Sequence, residues 1–246
     1  MSTMAEQILL NAQGIVKRFG ALTVLSGVDF TVRAGEAVGI VGPNGAGKTT
    51  LLAALSGSFG ISAGTIALRG EDITHVSAAQ RCRLGIARSH QVPRPFNGMT
   101  VFENVLTAAM HGGGFGRQEA YDRSLDAIEL CAMTHVANRR AETLGLLDRK
   151  RLELTRALAT NPQLLLLDEI GGGLTDGEAV ELIGTIQTLR KRDITLVWIE
   201  HIVHVLVQVV ERLVCMDAGK VIADGTPDAV LSDAAVVSAY LGGHAA

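Results

Sequence analysis

The chain has 246 residues, a formal net charge of −3 and 48% hydrophobic residues. That length suits one large α/β domain, or a core with a small subdomain, and the charge balance excludes the basic field of a nucleic-acid partner. Its cysteines, Cys82, Cys131 and Cys215, are isolated and odd in number, which excludes a disulfide or metal framework and fits reduced thiols in the cytosol.

In chain order, Met1–Gln7 has neither the positive region nor the apolar stretch of a secretory signal. Residues 8–33 alternate as strands do: Ile8–Leu10 opens one and Val28–Val32 closes another. Val16–Gly20 between them reads as polar and turn-like. Phe19 there is either a ring that stacks on a flat base or an ordinary core residue. The apolar run Ala37–Val41 then leads into Gly42-Pro43-Asn44-Gly45-Ala46-Gly47-Lys48-Thr49-Thr50, and Leu51, Leu52 and Leu55 continue as a helix. Strand, glycine turn and helix form the context in which Gly-x-x-x-x-Gly-Lys-Thr binds phosphate. Glycines let the backbone wrap closely round an anion, and the N–H groups at the helix start face it. Lys48 is expected to reach the β- and γ-phosphates and Thr49 to offer its hydroxyl to Mg²⁺.

Gly64–Gly70 reads as a strand and Ala78–Leu84 as a short helix. Gln91 ends a strand-like stretch and opens an exposed loop, in which Pro93 and Pro95 preclude regular structure. Residues 100–135 read as helical, with Val101, Val105 and Ala108 on one face and Leu125, Ile128 and Ala132 on another; Gly112–Gly114 with Gly116 reads as a flexible break. A helix is expected over 148–159, opened by Asp148 and ended by Asn161-Pro162. Leu164–Leu167 is a buried strand with Asp168 and Glu169 at its C-terminal end, where ligands gather in open α/β sheets. The alternative for that acidic pair is a helix N-cap. After Gly171–Gly173, a helix spans 176–191, and a strand over 194–199 ends at Glu200-His201. The oily stretch 196–216 is broken by Glu200, His201, His204, Glu211 and Arg212, so it falls short of the roughly 18 to 20 apolar residues of a membrane span. From Leu213 onward two short strands and closing helices are expected.

Together the phosphate loop, Gln91, the helix before Asn161, Asp168-Glu169 and His201 resemble the ATP-binding subunit of an ATP-binding-cassette (ABC) transporter, over nearly the full chain. Gln91–Phe96, Met99–Val105, Gly225-Thr226-Pro227 and Ala239-Tyr240-Leu241-Gly242 are similar in particular to the branched-chain amino acid importers. The resemblance implies an α/β fold: a P-loop core with a mostly parallel sheet and an antiparallel β subdomain (1–89 and 158–246), and an α-helical subdomain over about 90–157. It implies an ATPase with Mg²⁺, in which Phe19 stacks on adenine and Gly42, Pro43, Asn44, Gly45, Ala46, Gly47, Lys48, Thr49 and Thr50 hold the phosphates. Thr49 and Gln91 complete the metal's coordination with Asp168 behind them, Glu169 polarises the attacking water, and His201 contacts the γ-phosphate. Transmembrane permease subunits are the implied partners, at the cytoplasmic side of the membrane, with the Gln91–Phe96 loop as the contact. Soluble relatives that act on DNA or the ribosome carry coiled-coil insertions or two cassettes in one chain, and neither is present.

The sequence departs from the family at its signature segment. The usual Leu-Ser-Gly-Gly-Gln, which acts on the nucleotide of the other subunit in a dimer, aligns with Leu144-Gly145-Leu146-Leu147-Asp148. The hydroxyl is missing, Leu147 adds bulk and Asp148 adds negative charge. Ile170 stands for the usual proline, and Thr175 for the usual Asp or Asn. A heterodimer with a partner bearing an intact signature is therefore favoured over a homodimer. The alternative function is an ATP-binding regulatory subunit with little hydrolysis of its own.

Overall fold

The computed structural model describes residues 7–242, so the reading that Met1–Gln7 lacks a signal falls almost wholly outside the described residues. In chain order the elements are β1 (Ile8–Phe19), β2 (Leu22–Arg33), β3 (Ala37–Val41), α1 (Lys48–Leu55), β4 (Ala63–Leu68), β5 (Glu71–Asp72), α2 (Ala78–Arg83), β6 (Ile86–Arg88) and α3 (Val101–Thr107). A π-helical turn (Ala108–Gly113) leads to α4 (Arg117–Leu130), α5 (Leu146–Ala159), β7 (Leu164–Asp168), α6 (Asp176–Arg190), β8 (Thr195–Ile199) and α7 (Val203–Leu206). β9 (Arg212–Asp217), β10 (Lys220–Gly225), α8 (Pro227–Leu231) and α9 (Ala234–Gly242) close the chain. Among the described residues no helix is long and apolar enough to cross a membrane.

The chain divides into two compact units, one running to Ala78 and resuming at Thr195, the other spanning Ala79–Ile194. These breaks differ from those expected near 89/90 and 157/158. The reason is packing: α5 lies against β6 and α6, and α4 against α6, so the helical region takes those neighbours with it.

In the first unit, β2, β1, β4 and β5 form an antiparallel sheet in that order. Alternating burial along β1 and β2 sends Leu10, Ala12, Ile15, Leu25, Val28, Phe30 and Val32 into the core. The two strands are longer than the alternation suggested. Register shifts between Ile8/Leu10, Ala12/Ile15, Ile15/Val16 and Lys17/Arg18 break the period of two, and Gly14 (φ 59°) sits at one of them, its N–H donating to Asp29 Oδ1 at 2.6 Å. Val16–Phe19 is therefore strand, with the turn at Gly20-Ala21. The same unit carries β3, which runs parallel to β8 and β9, while β10 turns back antiparallel on β9. All five residues of β3 are buried, as are all five of β8, the signature of parallel strands covered on both faces.

In the second unit β6 and β7 pair in parallel, Ile86 with Leu164 and Arg88 with Leu166. Gln91 lies three residues beyond the end of β6, in irregular exposed chain. α3 is fixed by a capping box, with Thr100 accepting from Glu103 N–H and the Glu103 carboxylate accepting from Thr100 N–H. The expected helix faces need correction. On α3, Val101, Asn104 and Val105 are buried and Ala108 only partly; the π turn moves the inward position to Ala109. On α4 the buried face is Ala120, Ser124, Ala127 and Ile128, while Leu125 is 47% exposed. Ala132 lies beyond the helix end, exposed and at positive φ. The expected glycine break is helical through Gly113, and only Gly114 (φ 76°) ends it. α5 begins at Leu146, two residues before the expected start, and Asp148 sits within its first turn.

Candidate functional site

The first unit carries the strand, glycine turn and helix that the sequence implied: β3 ends at Val41, α1 begins at Lys48, and residues 42–47 form the candidate phosphate loop between them. Each glycine has a distinct reason to be there. At Gly42 φ is 142°, and a Cβ would lie 2.0 Å from the Met216 carbonyl oxygen. At Gly47 φ is 100°, and a Cβ would meet Leu25 Cδ2 and the Val24 carbonyl at 3.0 Å. At Gly45 (φ 81°) a Cβ would meet open space, so the backbone angle alone selects glycine. Gly47 is the N-cap of α1, in the left-handed region and with no side-chain cap. Among the described residues, the N–H groups of Gly45 and Gly47 meet no protein acceptor. Free amides at a helix N-terminus form the donor set that a phosphate chain requires, so the loop fits a nucleotide.

Lys48 is only 5% exposed, and its ammonium donates to the carbonyls of Gly42 (2.7 Å) and Pro43 (2.9 Å). The charge is thus held across the loop that it serves. The loop is tied to the rest of its unit by Gly219 N–H, which donates to the Ala46 carbonyl at 3.0 Å, and by Gly42 N–H, which donates to the Tyr240 hydroxyl at 2.8 Å.

Phe19 ends β1 and is 49% exposed, so it is not an ordinary core residue. Phe59 meets it edge-on with ring centroids 5.5 Å apart, and the Lys17 ammonium lies 4.7 Å from the Phe19 centroid and 4.4 Å from that of Phe59. Lys17 also donates to the Gly60 carbonyl at 2.6 Å. His201 follows β8, is exposed, and its N–H donates to the buried Glu200 carboxylate at 3.2 Å.

The second unit carries the acidic pair. Asp168, the last residue of β7, is 1% exposed, and Arg88 Nη2 at the end of β6 reaches its Oδ2 at 2.7 Å. Removing two charges from water is tolerable because each meets the other at hydrogen-bond distance. Glu169 sits just beyond the strand in a left-handed conformation (φ 47°). Such a backbone costs about 1–3 kcal/mol in a residue with a Cβ, and it is held by its surroundings. The Glu169 carbonyl accepts from Gly172 N–H and from Lys150 Nζ, both at 3.3 Å, and Gln91 Nε2 donates to its carboxylate. An N-cap role for the pair is excluded, because α6 is capped by Thr175 in a capping box with Glu178. That also explains Thr175 at this position: its hydroxyl ends in the cap.

The signature segment lies at the start of α5. Leu144 is buried, Gly145 is the exposed N-cap with no side-chain hydrogen bond, Leu146 is exposed, and Leu147 is half-buried. Asp148 is 3.9 Å from Arg151, whose Nη2 also reaches Glu181 at 2.9 Å, so the added negative charge has a cation beside it. Among the described residues no cluster of three or more His, Cys, Asp or Glu gathers as a metal cage. Magnesium that is bound largely through phosphates, water and single side-chain oxygens needs none.

Arg88, Lys150, Phe59 and the role of Tyr240 were not legible in the sequence. Arg88 had a usable signal, since a cation ending one apolar strand needs a carboxylate, and Asp168 ends another. The remaining three contacts leave no local pattern.

The family model described as ABC transporter matches residues 25–171, and one described as branched-chain amino acid ATP-binding cassette transporter matches residues 220–246. The high-affinity branched-chain amino acid transport ATP-binding protein LivG of Salmonella typhimurium is 35% identical over 251 residues, covering 96% of this chain and 98% of that protein. The lipopolysaccharide export system ATP-binding protein LptB of Haemophilus influenzae is 33% identical over 234 residues, covering 95% of this chain and 97% of that one. Among solved structures, an ATP-binding cassette of an ABC transporter in its ADP conformation superposes with a TM-score of 0.86 at 31% identity, covering 96% of this chain and 99% of that one.

Proposed function

The chain belongs to the ABC transporter ATP-binding family, whose members are ATPases, and from that premise we propose that it powers the import of branched-chain or similar amino acids. The observation that carries the ATP-driven part of this reading is the phosphate loop, with its three positive-φ glycines and a buried Lys48 at the start of α1. The amino-acid substrate is supported by the match of residues 220–246 and by the likeness to LivG. LptB, at nearly the same identity, is named for lipopolysaccharide export. Direction and cargo therefore rest on the C-terminal match.

In this reading Gly42, Pro43, Asn44, Gly45, Ala46, Gly47, Lys48, Thr49 and Thr50 bind the ATP phosphates, and Phe19 lies against the base with Lys17 and Phe59 shaping the platform. Thr49 and Gln91 would hold Mg²⁺, with Asp168 behind them, and the ion would supply positive charge beside the phosphates. Glu169 orients the attacking water by accepting its hydrogen bond, and His201 donates to the γ-phosphate. Positioning and charge neutralisation supply most of the rate in such a reaction. Gln91 donates to Glu169, so a movement of the 91–96 loop would alter the carboxylate that orients water. Val92 and Phe96 on that loop are exposed and are the proposed contact with a membrane permease on its cytoplasmic side.

A second ATPase subunit completes the proposed assembly, and a heterodimer is favoured. Gly145 at the N-cap of α5 offers no hydroxyl to a nucleotide held by a partner, and a partner with an intact signature would supply it to this chain's own site. The alternative of a regulatory subunit with little hydrolysis is not favoured, because the likeness to transport ATP-binding proteins spans 96% of the chain.

The test is ATP hydrolysis by the purified chain, alone and with its co-purified partner, beside Glu169→Gln, together with leucine uptake by cells with and without the chain. Expected are ATP binding in both proteins, turnover lost in Glu169→Gln, and uptake that requires the chain. Turnover retained in Glu169→Gln would remove the carboxylate from the mechanism, and unchanged leucine uptake would remove the substrate.

A further inference from the structure

The C-terminal segment reaches the phosphate loop at three points within one unit. The Met216 carbonyl oxygen lies 2.0 Å from where a Cβ on Gly42 would be. Gly219 N–H donates to the Ala46 carbonyl at 3.0 Å, and the Gly219 carbonyl accepts from Ser26 N–H at 2.9 Å. The third contact is of another kind. Gly42 N–H, the first donor of the loop, is bound at 2.8 Å by the Tyr240 phenol from α9, 198 residues later. The first two contacts are backbone to backbone and follow from the strands. The third depends on one side chain on the last described helix, and that helix is anchored by the buried Val236. Tyr240 itself is 40% exposed, and its hydroxyl is the atom that meets the loop. Burial pushes the phenol above its ordinary value, with the Gly42 hydrogen bond opposing, so the group stays neutral at physiological pH.

We propose that Tyr240 is a positioning residue for nucleotide binding: it fixes the entry peptide of the phosphate loop through Gly42 and makes ATP affinity depend on the seating of α9. The inference rests on the nucleotide reading above. Gly42 is bracketed, with Met216 blocking one side of its Cα and the phenol holding its N–H. The loop amides downstream therefore inherit their orientation from a peptide that cannot rotate freely. Loss of the phenol oxygen frees that rotation and leaves the amides to be ordered by the ligand, which weakens binding without touching the reacting atoms.

The experiment uses the full chain. Tyr240→Phe keeps the ring and removes the acceptor. Binding of Mg-ATP is measured by calorimetry in a Glu169→Gln background, hydrolysis is measured with Glu169 intact, and hydrogen exchange is followed at the Gly42 amide without nucleotide. Expected are an ATP Kd weaker by about three- to tenfold, the range of one lost hydrogen bond, a higher KM with kcat held, and faster exchange at Gly42 with the β9 amides unchanged. Val236→Ala, which loosens α9 but keeps the phenol, is expected to shift Kd in the same direction by less. Unchanged Kd and unchanged Gly42 exchange in Tyr240→Phe would overturn the inference while leaving the nucleotide reading intact. A fall in kcat matching the rise in KM, with a lower nucleotide-free melting temperature, would overturn it in favour of a general loss of structure. Failure of the parent protein to bind ATP would overturn both.

Discussion

Replacing Gly42 by alanine should do more damage than the same change three residues on, and the difference can be worked from geometry. The added Cβ would sit 2.0 Å from the Met216 carbonyl oxygen, against a closest tolerated approach of about 3.0 Å. The carbonyl must retreat by about 1 Å, and it cannot do so alone. Met216 pairs with Val221 on β10, and its neighbour Cys215 pairs with Val41, the residue just before Gly42. Overpacking of a rigid site costs about 1–3 kcal/mol, and the backbone at φ 142° adds about 1–3 kcal/mol for an L side chain. The sum, about 2–6 kcal/mol, is a large part of the roughly 5–15 kcal/mol that holds a domain folded. At Gly45 a Cβ meets open space, so only the left-handed penalty of about 1–2 kcal/mol applies. The assay is urea unfolding of both variants beside the parent, with ATP titration under native conditions. Gly42→Ala should lower the midpoint clearly further than Gly45→Ala. Equal midpoints would refute the reasoning, because they would mean that the Met216 carbonyl yields at no cost.

Three further outcomes are expected. Arg88→Met strands the buried Asp168 carboxylate without its 2.7 Å partner; since Asp168 has other interactions, the loss should be about 2–4 kcal/mol in urea unfolding, and a change under about 0.5 kcal/mol would contradict the pairing. Burial pushes the Cys131 thiol from 9.0 up to about 12. The unfolded thiol ionises first, so stability from this group is present below about pH 9 and is lost as pH rises toward about 12. The melting temperature should accordingly fall more steeply above pH 9 in the parent than in Cys131→Ala, and native protein should resist thiol labelling at Cys131 at pH 8. Thr175→Ala should cost about 1 kcal/mol by removing the cap of α6, measured by thermal unfolding, whereas Thr175→Asp should retain most of the stability.

What could be read beforehand follows from how far apart in sequence the partners lie. The phosphate loop was legible because its requirements are local: positive φ at three glycines and a lysine at the first helical position. The strand ending in Asp168 was legible because four consecutive leucines admit few other environments. Leu125 was misplaced because the inward face of α4 is carried by the small residues Ala120, Ser124 and Ala127 with Ile128, which hydrophobicity does not single out, whereas the shift from Ala108 to Ala109 follows from the π turn, whose pitch no periodicity reading includes. β1 was cut short for a related reason, since its register shifts interrupt alternation at the places where the strand continues. Thr175 looked like a degraded interface residue, and only the carboxylate of Glu178 folding back on it revealed a cap. The contacts that shape the site from a distance, Tyr240 on Gly42 and Arg88 on Asp168, join residues 198 and 80 positions apart. The first leaves no pattern in a single sequence, and the second shows only as a cation and a carboxylate that end separate apolar strands.

The irregular pairing of β1 with β2 has a consequence for life in a crowded cell. β2 is an edge strand of twelve residues, and a flat edge of that length would offer a ready template to any extended chain that met it. The four register shifts along its partner strand, together with Gly27 at φ 76° within β2 itself, bend and twist the ribbon at short intervals. A foreign strand laid along it would find only a few donors and acceptors in step before the pattern failed. The bulges that hide β1 from a periodicity reading thus also guard the protein against edge-to-edge aggregation.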